Sequence, residues 1–238
     1  MIPRTIHYCW FGKGPKPKNI SKYIESWKKQ CVDYEVVEWN EDNFDININE
    51  YCKVAYIKKK WAFVSDFARL WIIYNHGGIY LDTDVEIVKP LDPLLINDGF
   101  IGFESKEWIG TNIIGAAKNN KIIKRLLQNY DSNSFINHDG SLNMTTNVEI
   151  ITKILNKEYG LKSNGLQQNI NGFEIYPIEY FSPYDYLTGI EKKTNNTYTI
   201  HWYTQTWINQ AIFRRKISQL LHRVLGIRFT SKIHKLLK

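Results

Sequence analysis

The chain has 238 residues, of which 43% are hydrophobic, 14% aromatic and 23% charged, a balance that suits one packed domain with an appendage and excludes wholesale disorder. Its formal charge of +7 is concentrated in residues 211–238, which hold eight basic and no acidic side chains; a nearly neutral body argues against nucleic acid as partner. No apolar run reaches the ~18 residues of a membrane span. The start Met1-Ile2-Pro3-Arg4 predicts no secretion signal. Cys9, Cys31 and Cys52 form no CxxC pair, which predicts a reducing cytoplasm and no thiolate metal site.

In chain order, Thr5 to Trp10 reads as a short buried strand closed by the turn-rich Gly12 to Pro17. Asn19 or Ser21 is expected to cap a helix running to about Cys31. Tyr34 to Trp39 is a second strand, followed by a loop rich in Asn, Asp and Glu. Lys58 to Asn75 is helical by spacing, with a wide apolar face from Trp61 to Ile72, and His76-Gly77-Gly78 ends it. Ile79 to Leu81 and Val85 to Val88 are brief strands around Asp82-Thr83-Asp84. Strands are expected at 100–103, 112–116, 173–176 and 198–202, and helices at 118–130 and 145–157. Helices alternate with strands early and strands dominate later, so the fold class is α/β with a mixed sheet.

Residues 211–238 have apolar residues at helical spacing (Phe213, Ile217, Leu220, Leu221, Val224) with cations between them. Such amphipathic helices either pack on the domain or lie on an anionic membrane, each cation near the surface adding about 1 kcal/mol. The spacing serves both readings equally.

The most informative stretch lies in the middle. Asp82 and Asp84 flank one residue directly after an apolar strand, at a strand end where α/β proteins place ligands. Hard oxygen donors of this kind suit Mg²⁺ or Mn²⁺ together with phosphate; a solvated turn is the plain alternative. Asp66 and Arg69, three apart, share one face of an otherwise apolar helix, an expensive place for charge unless it lines a site. Gly77-Gly78 lets that helix reverse into the strand carrying the acids, so the two groups end near each other.

The string from Phe63 to Val85, FVSDFARLWIIYNHGGIYLDTDV, resembles glycosyltransferase family 32, whose signature SDxxRxxxLxxxGGxYxDxD is met by Ser65, Asp66, Arg69, Gly77, Gly78, Tyr80, Asp82 and Asp84. The opening Ile2 to Trp10 is similar to the family's IPKxIHxxW, and Tyr198 to Trp207 to its YAIHHxxxSW ending, with Thr206 and Trp202 departing from that pattern. The resemblance covers about residues 1–208, the expected domain, and leaves residues 209–238 as a basic amphipathic helical tail. It implies a GT-A, Rossmann-like nucleotide-sugar-binding fold, in keeping with the absence of a GxGxxG fingerprint.

By the same resemblance Asp82 and Asp84 hold Mn²⁺ or Mg²⁺ against a diphosphate, with His201 as the third metal ligand. A lone strand histidine otherwise reads as a hydrogen-bonded core residue. Asp66 and Arg69 contact the donor sugar, Ser65 and Tyr80 lie beside the nucleotide, and Trp10 stacks on the base. Trp207 backs the diphosphate through its indole N–H or is core. Asn112, at an expected strand start, reads as a turn amide in preference to a contact with sugar or acceptor, and Thr145-Thr146-Asn147 as a helix cap.

The expected activity is metal-dependent, retaining transfer of a hexosyl group, from a UDP-sugar for preference, to a hydroxyl of a surface glycan such as a capsular polysaccharide or of a lipid-linked oligosaccharide. The expected location is cytoplasmic and peripheral to the inner face of the plasma membrane through residues 211–238. A non-catalytic glycan- or membrane-binding protein and a DxD phosphatase are the alternatives; for the phosphatase, Glu86 stands where threonine or valine is wanted.

Overall fold

The computed structural model describes residues 1–204 and residue 219, so Trp207, Thr206 and the expected tail helices lie outside the described residues. The chain begins with β1 (Thr5–Cys9), then α1 (Lys18–Gln30), β2 (Glu35–Trp39), α2 (Glu50–Ile57) and α3 (Trp61–His76). Next come β3 (Gly78–Leu81), β4 (Val85–Ile87), β5 (Gly99–Phe103) and β6 (Ile109–Ala116), then α4 (Lys121–Gln128) and α5 (Asn147–Tyr159). The last elements are β7 (Gln168–Ile170), β8 (Phe173–Tyr176), α6 (Ile178–Phe181), β9 (Tyr184–Asp185), β10 (Ile190–Glu191) and β11 (Thr199–His201).

Seven strands form one mixed sheet in the order β2-β1-β3-β6-β5-β8-β7, the α/β architecture expected from the sequence. β2, β1 and β3 run parallel, and β6 turns the direction by pairing antiparallel with β3. β4 leaves this sheet and pairs antiparallel with β11, while β9 and β10 make a separate hairpin. β5 and β6 are fully buried, and each sheet face is covered by its own apolar cluster. One cluster holds α3 through Phe67, Leu70 and Ile73 with α4 and α5. The other holds α1 through Trp27 and α6 through Phe181 against Phe100. A sheet with two apolar faces must be covered on both sides, and the helices do that.

Two readings need correction. Neither Asn19 nor Ser21 caps α1; the helix starts at Lys18 directly after Pro17, whose fixed φ sets the entry, and no side chain caps it. The segment read as a loop after β2 contains α2, started by the Asn49 side chain accepting from the Cys52 N–H. At eight residues α2 is too short to declare itself by periodicity. The three cysteines are buried and unpaired.

The reversal after α3 explains its two glycines. Gly77 and Gly78 have φ of 72° and 99°, outside the reach of most L side chains. A Cβ on Gly78 would lie 2.7 Å from the Thr5 carbonyl oxygen and 2.9 Å from His7 Nε2. His7 is 3% exposed and its tautomer is set by its neighbours. Trp39 Nε1–H donates to His7 Nδ1, so Nε2 carries the proton and donates to the Gly77 carbonyl at 2.9 Å. Burial holds this imidazole neutral, lowering its pKa to about 4. The turn therefore rests on β1 as well as on its own glycines.

Candidate active site

β3 ends at Leu81, and Asp82 follows where the strand leaves the sheet, its N–H donating to the Asn112 carbonyl of β6. α3 runs back over this end and presents Asp66 and Arg69. Arg69 is only 5% exposed. Its guanidinium meets Asp66 at 3.0 Å and Asp82 at 3.2 Å, and donates to the Thr111 carbonyl at 2.6 Å. Tyr80 adds its ring, 4.7 Å from the guanidinium, and its hydroxyl donates to Asp82. Burial opposes the Arg69 charge, but Asp82, Tyr80 and Asp66 outweigh it and raise its pKa. Burial pushes the Asp66 carboxyl up to about 6 against the pull of Arg69. The pair expected from a three-residue spacing is thus a buried three-member network.

Asp84 is placed by different contacts. The antiparallel pairing of β11 with β4 sets His201 opposite Val85, and the Trp202 N–H donates to the Asp84 carbonyl. His201 Nε2 lies 3.2 Å from Asp84, and Thr204 donates both its N–H and its hydroxyl to the same carboxylate. Burial works against charge on both groups. His201 and Thr204 nevertheless lower the Asp84 pKa, and Asp84 raises that of His201. His201 Nδ1 is buried with no hydrogen-bond partner among the described residues.

Trp10, Ser65, Asp66, Arg69, Tyr80, Asp82, Asp84 and His201 all line one cavity of about 560 Å³, within the range of small-ligand sites. Trp10 sits at its rim with its indole N–H on the Gly14 carbonyl, and Ser65 contributes the carbonyl that accepts from Arg69 Nε. Asn112 is also there, inside the strand it was expected to start, so its reading as a turn amide is corrected; it is 2% exposed and its Nδ2 has no partner among the described residues. Thr146 caps α5 as expected by accepting from the Glu149 N–H. The next residue, Asn147, donates to the Asp66 carbonyl and carboxyl, a role that a cap reading does not contain.

Sequence reasoning missed Glu104, Thr111, Trp61 and Tyr203, which share the cavity. Glu104 follows β5, and burial pushes its carboxyl up to about 7. Nothing in its local sequence marks it; only the β5–β6 pairing brings it to the cavity.

Asp82, Asp84 and His201 offer oxygen and imidazole donors, which suit a hard divalent cation. Among the described residues, no group of three or more His, Cys, Asp or Glu side chains is gathered to hold one. Asp82 is turned to Arg69 and Tyr80, and Asp84 to His201 and Thr204.

Residues 17–101 match the family described as glycosyltransferase sugar-binding region containing DXD motif. The chain is 28% identical over 149 residues to inositol phosphoceramide mannosyltransferase 3 of Schizosaccharomyces pombe, covering 58% of this chain and 39% of that protein. It is also 28% identical over 156 residues to an uncharacterized glycosyltransferase, L373, of Acanthamoeba polyphaga mimivirus, covering 61% of this chain and 60% of that one. The chain therefore spans less than two thirds of the length of these relatives. Among solved structures, the PaToxG glycosyltransferase is similar with a TM-score of 0.47 and 21% identity, covering 66% of this chain and 70% of that chain.

Proposed function

We infer, for a chain that is glycosyltransferase family 32-like through its DXD sugar-binding region, that it transfers a hexosyl group from a nucleoside-diphosphate sugar to a hydroxyl acceptor. The observation that carries this is the buried Asp66–Arg69–Asp82 network sharing one cavity with Asp84 and His201. An apolar replacement of such an ion network is often no less stable, so its retention beside a cavity favours a ligand-binding role. The relatives' names make mannosyl the first group to test, alongside the UDP-sugars favoured by the sequence reading.

In this mechanism Trp10 offers its ring face to the base, and Ser65 and Tyr80 lie beside the nucleotide. Arg69, held charged and immobile by two carboxylates, and Asp66 bind hydroxyls of the donor sugar and so fix its anomeric carbon for attack. Asp82, Asp84 and His201 would hold a divalent cation, Mn²⁺ or Mg²⁺, which when bound neutralises charge on the departing diphosphate. Asp84 also ties the segment after β11 to the turn after β3 through Thr204. Retention is what the resemblance to family 32 implies; with both carboxylates nearest Arg69 engaged by it and neither free as a nucleophile, a same-face course is proposed for that outcome.

Thermal unfolding against a panel of UDP- and GDP-sugars, with and without Mn²⁺, tests the reading. The cognate donor at a hundred times its Kd stabilises the protein by about 2.7 kcal/mol. If no sugar nucleotide shifts the transition, the reading fails. Asp84→Asn should lower turnover by about 100-fold or more while the fold survives, measured as nucleotide release; unchanged release with saturating Mn²⁺ removes the metal role.

A further inference from the structure

Four carboxylates line the cavity in or near its charged centre, and three are engaged: Asp66 and Asp82 by Arg69, Asp84 by His201 and Thr204. Glu104 accepts no hydrogen bond and makes no ion pair among the described residues, although it lines the same cavity. Its position follows from register. Phe103 pairs with Ile109, and the Glu104 N–H donates to the Trp108 carbonyl, so Trp108, Gly110 and Asn112 alternate onto one face of β6 beside Glu104.

Gly110 makes room on that face. A Cβ there would stand 2.9 Å from Glu104 Cβ, 3.4 Å from its Oε2 and 2.7 Å from Asn112 Oδ1. The carboxyl thus lies over a bare stretch of strand on the Oδ1 side of Asn112, whose Nδ2 is buried without a partner among the described residues. A free acceptor and an unspent amide donor on one wall suit a hydroxyl, which both donates and accepts. They do not match a diphosphate, which an unpaired carboxylate repels. At the outer end of the same face, Trp108 is 40% exposed. An exposed indole presents a broad, rigid apolar surface to a ring.

Resting on the transfer reading above, we propose that this β5–β6 wall is the acceptor subsite. Glu104 accepts a hydrogen bond from a hydroxyl of a sugar or cyclic polyol, and Trp108 packs against that ring. The donor sugar stays with Asp66 and Arg69 across the cavity. Glu104 and Trp108 therefore set acceptor affinity and leave donor affinity alone.

The test uses the full chain loaded with its sugar nucleotide, and ligand-observed NMR with methyl α-D-mannopyranoside, methyl β-D-galactopyranoside and myo-inositol as probes. Glu104→Gln should weaken the best-binding probe about tenfold, with no fall in the unfolding transition and the donor-induced shift unchanged. Trp108→Ala, at an exposed position that the fold does not need, should weaken it several-fold. The subsite is overturned if none of the probes binds the donor-loaded wild type, if neither variant changes probe affinity, or if Glu104→Gln reduces the donor-induced shift instead. If no donor shifts the wild type at all, the transfer reading itself fails, and that outcome differs from every one above.

Discussion

On the α3–β3 side of the cavity Arg69 holds Asp66 and Asp82, Asn147 donates to Asp66, and Tyr80 donates to Asp82. On the β6–β11 side, Glu104 is unpaired among the described residues, and Asn112 Nδ2 and His201 Nδ1 are buried without partners. The first side keeps its charges affordable by pairing them and so has fixed geometry before any ligand arrives. The second bears the desolvation of groups it does not satisfy, which is tolerable where a ligand supplies the missing bonds. The difference teaches that one side of the pocket is organised by its own pairings, while the other keeps groups that only a ligand would satisfy.

Arg69→Ala attacks the paired side and should do the most damage. It leaves the part-buried Asp66 and Asp82 carboxylates without their cation, with only Asn147 and Tyr80 among the described residues still donating to them; removing one partner of a fully buried network costs about 3–5 kcal/mol, which bounds the loss from above. A chemical denaturation midpoint should fall accordingly; a change below about 1 kcal/mol would mean that water already compensates those acids.

His7 supports the same side from below, through the Gly77 carbonyl. Its pKa is lowered to about 4 from an ordinary 6.5, so as pH falls the unfolded chain takes up the proton first. Its contribution is full above pH 6.5 and is lost as the pH falls through about 4. The span corresponds to about 3 kcal/mol at 1.36 kcal/mol per unit. Thermal melts from pH 7 to 4 should show this step in the wild type and a flattened slope in His7→Gln; equal slopes would remove His7 as the cause.

Thr146→Ala removes the cap of α5, which carries Asn147 to Asp66. A loss of about 1 kcal/mol is expected, together with a weaker donor-induced shift. Asn112→Ala sharpens the contrast from the other side. Its amide nitrogen has no bond to lose among the described residues and its Oδ1 gives up only the long, 3.4 Å bond from the Ser182 hydroxyl, so the unfolding transition should move by about 1 kcal/mol while probe binding weakens. A stability loss matching that of Arg69→Ala would erase the distinction between the two sides.

Much of the paired side was legible because its parts are local. Asp66 and Arg69 are one helical turn apart, Tyr80 and Asp82 lie on one strand exit, and Gly77-Gly78 between them allows only a tight reversal. Local spacing and backbone sterics place such residues without knowledge of the rest of the chain. Asn147 was half legible, since its neighbour's cap could be read but not its contact with Asp66.

The sequence by itself determined the mixed α/β order of elements, the reversal that delivers Asp82 to Arg69, and the apolar faces of α3. Those follow from propensity, periodicity and the conformational freedom of glycine, all short-range in the chain. Only the tertiary structure decided that β11 returns to β4, more than a hundred residues on, to set His201 and Thr204 against Asp84. It also decided that β5 and β6 pair in a register that turns Glu104 into the cavity over Gly110. Strand register is fixed by how whole buried faces fit together, and a shift of one residue would send each of these side chains to the opposite face.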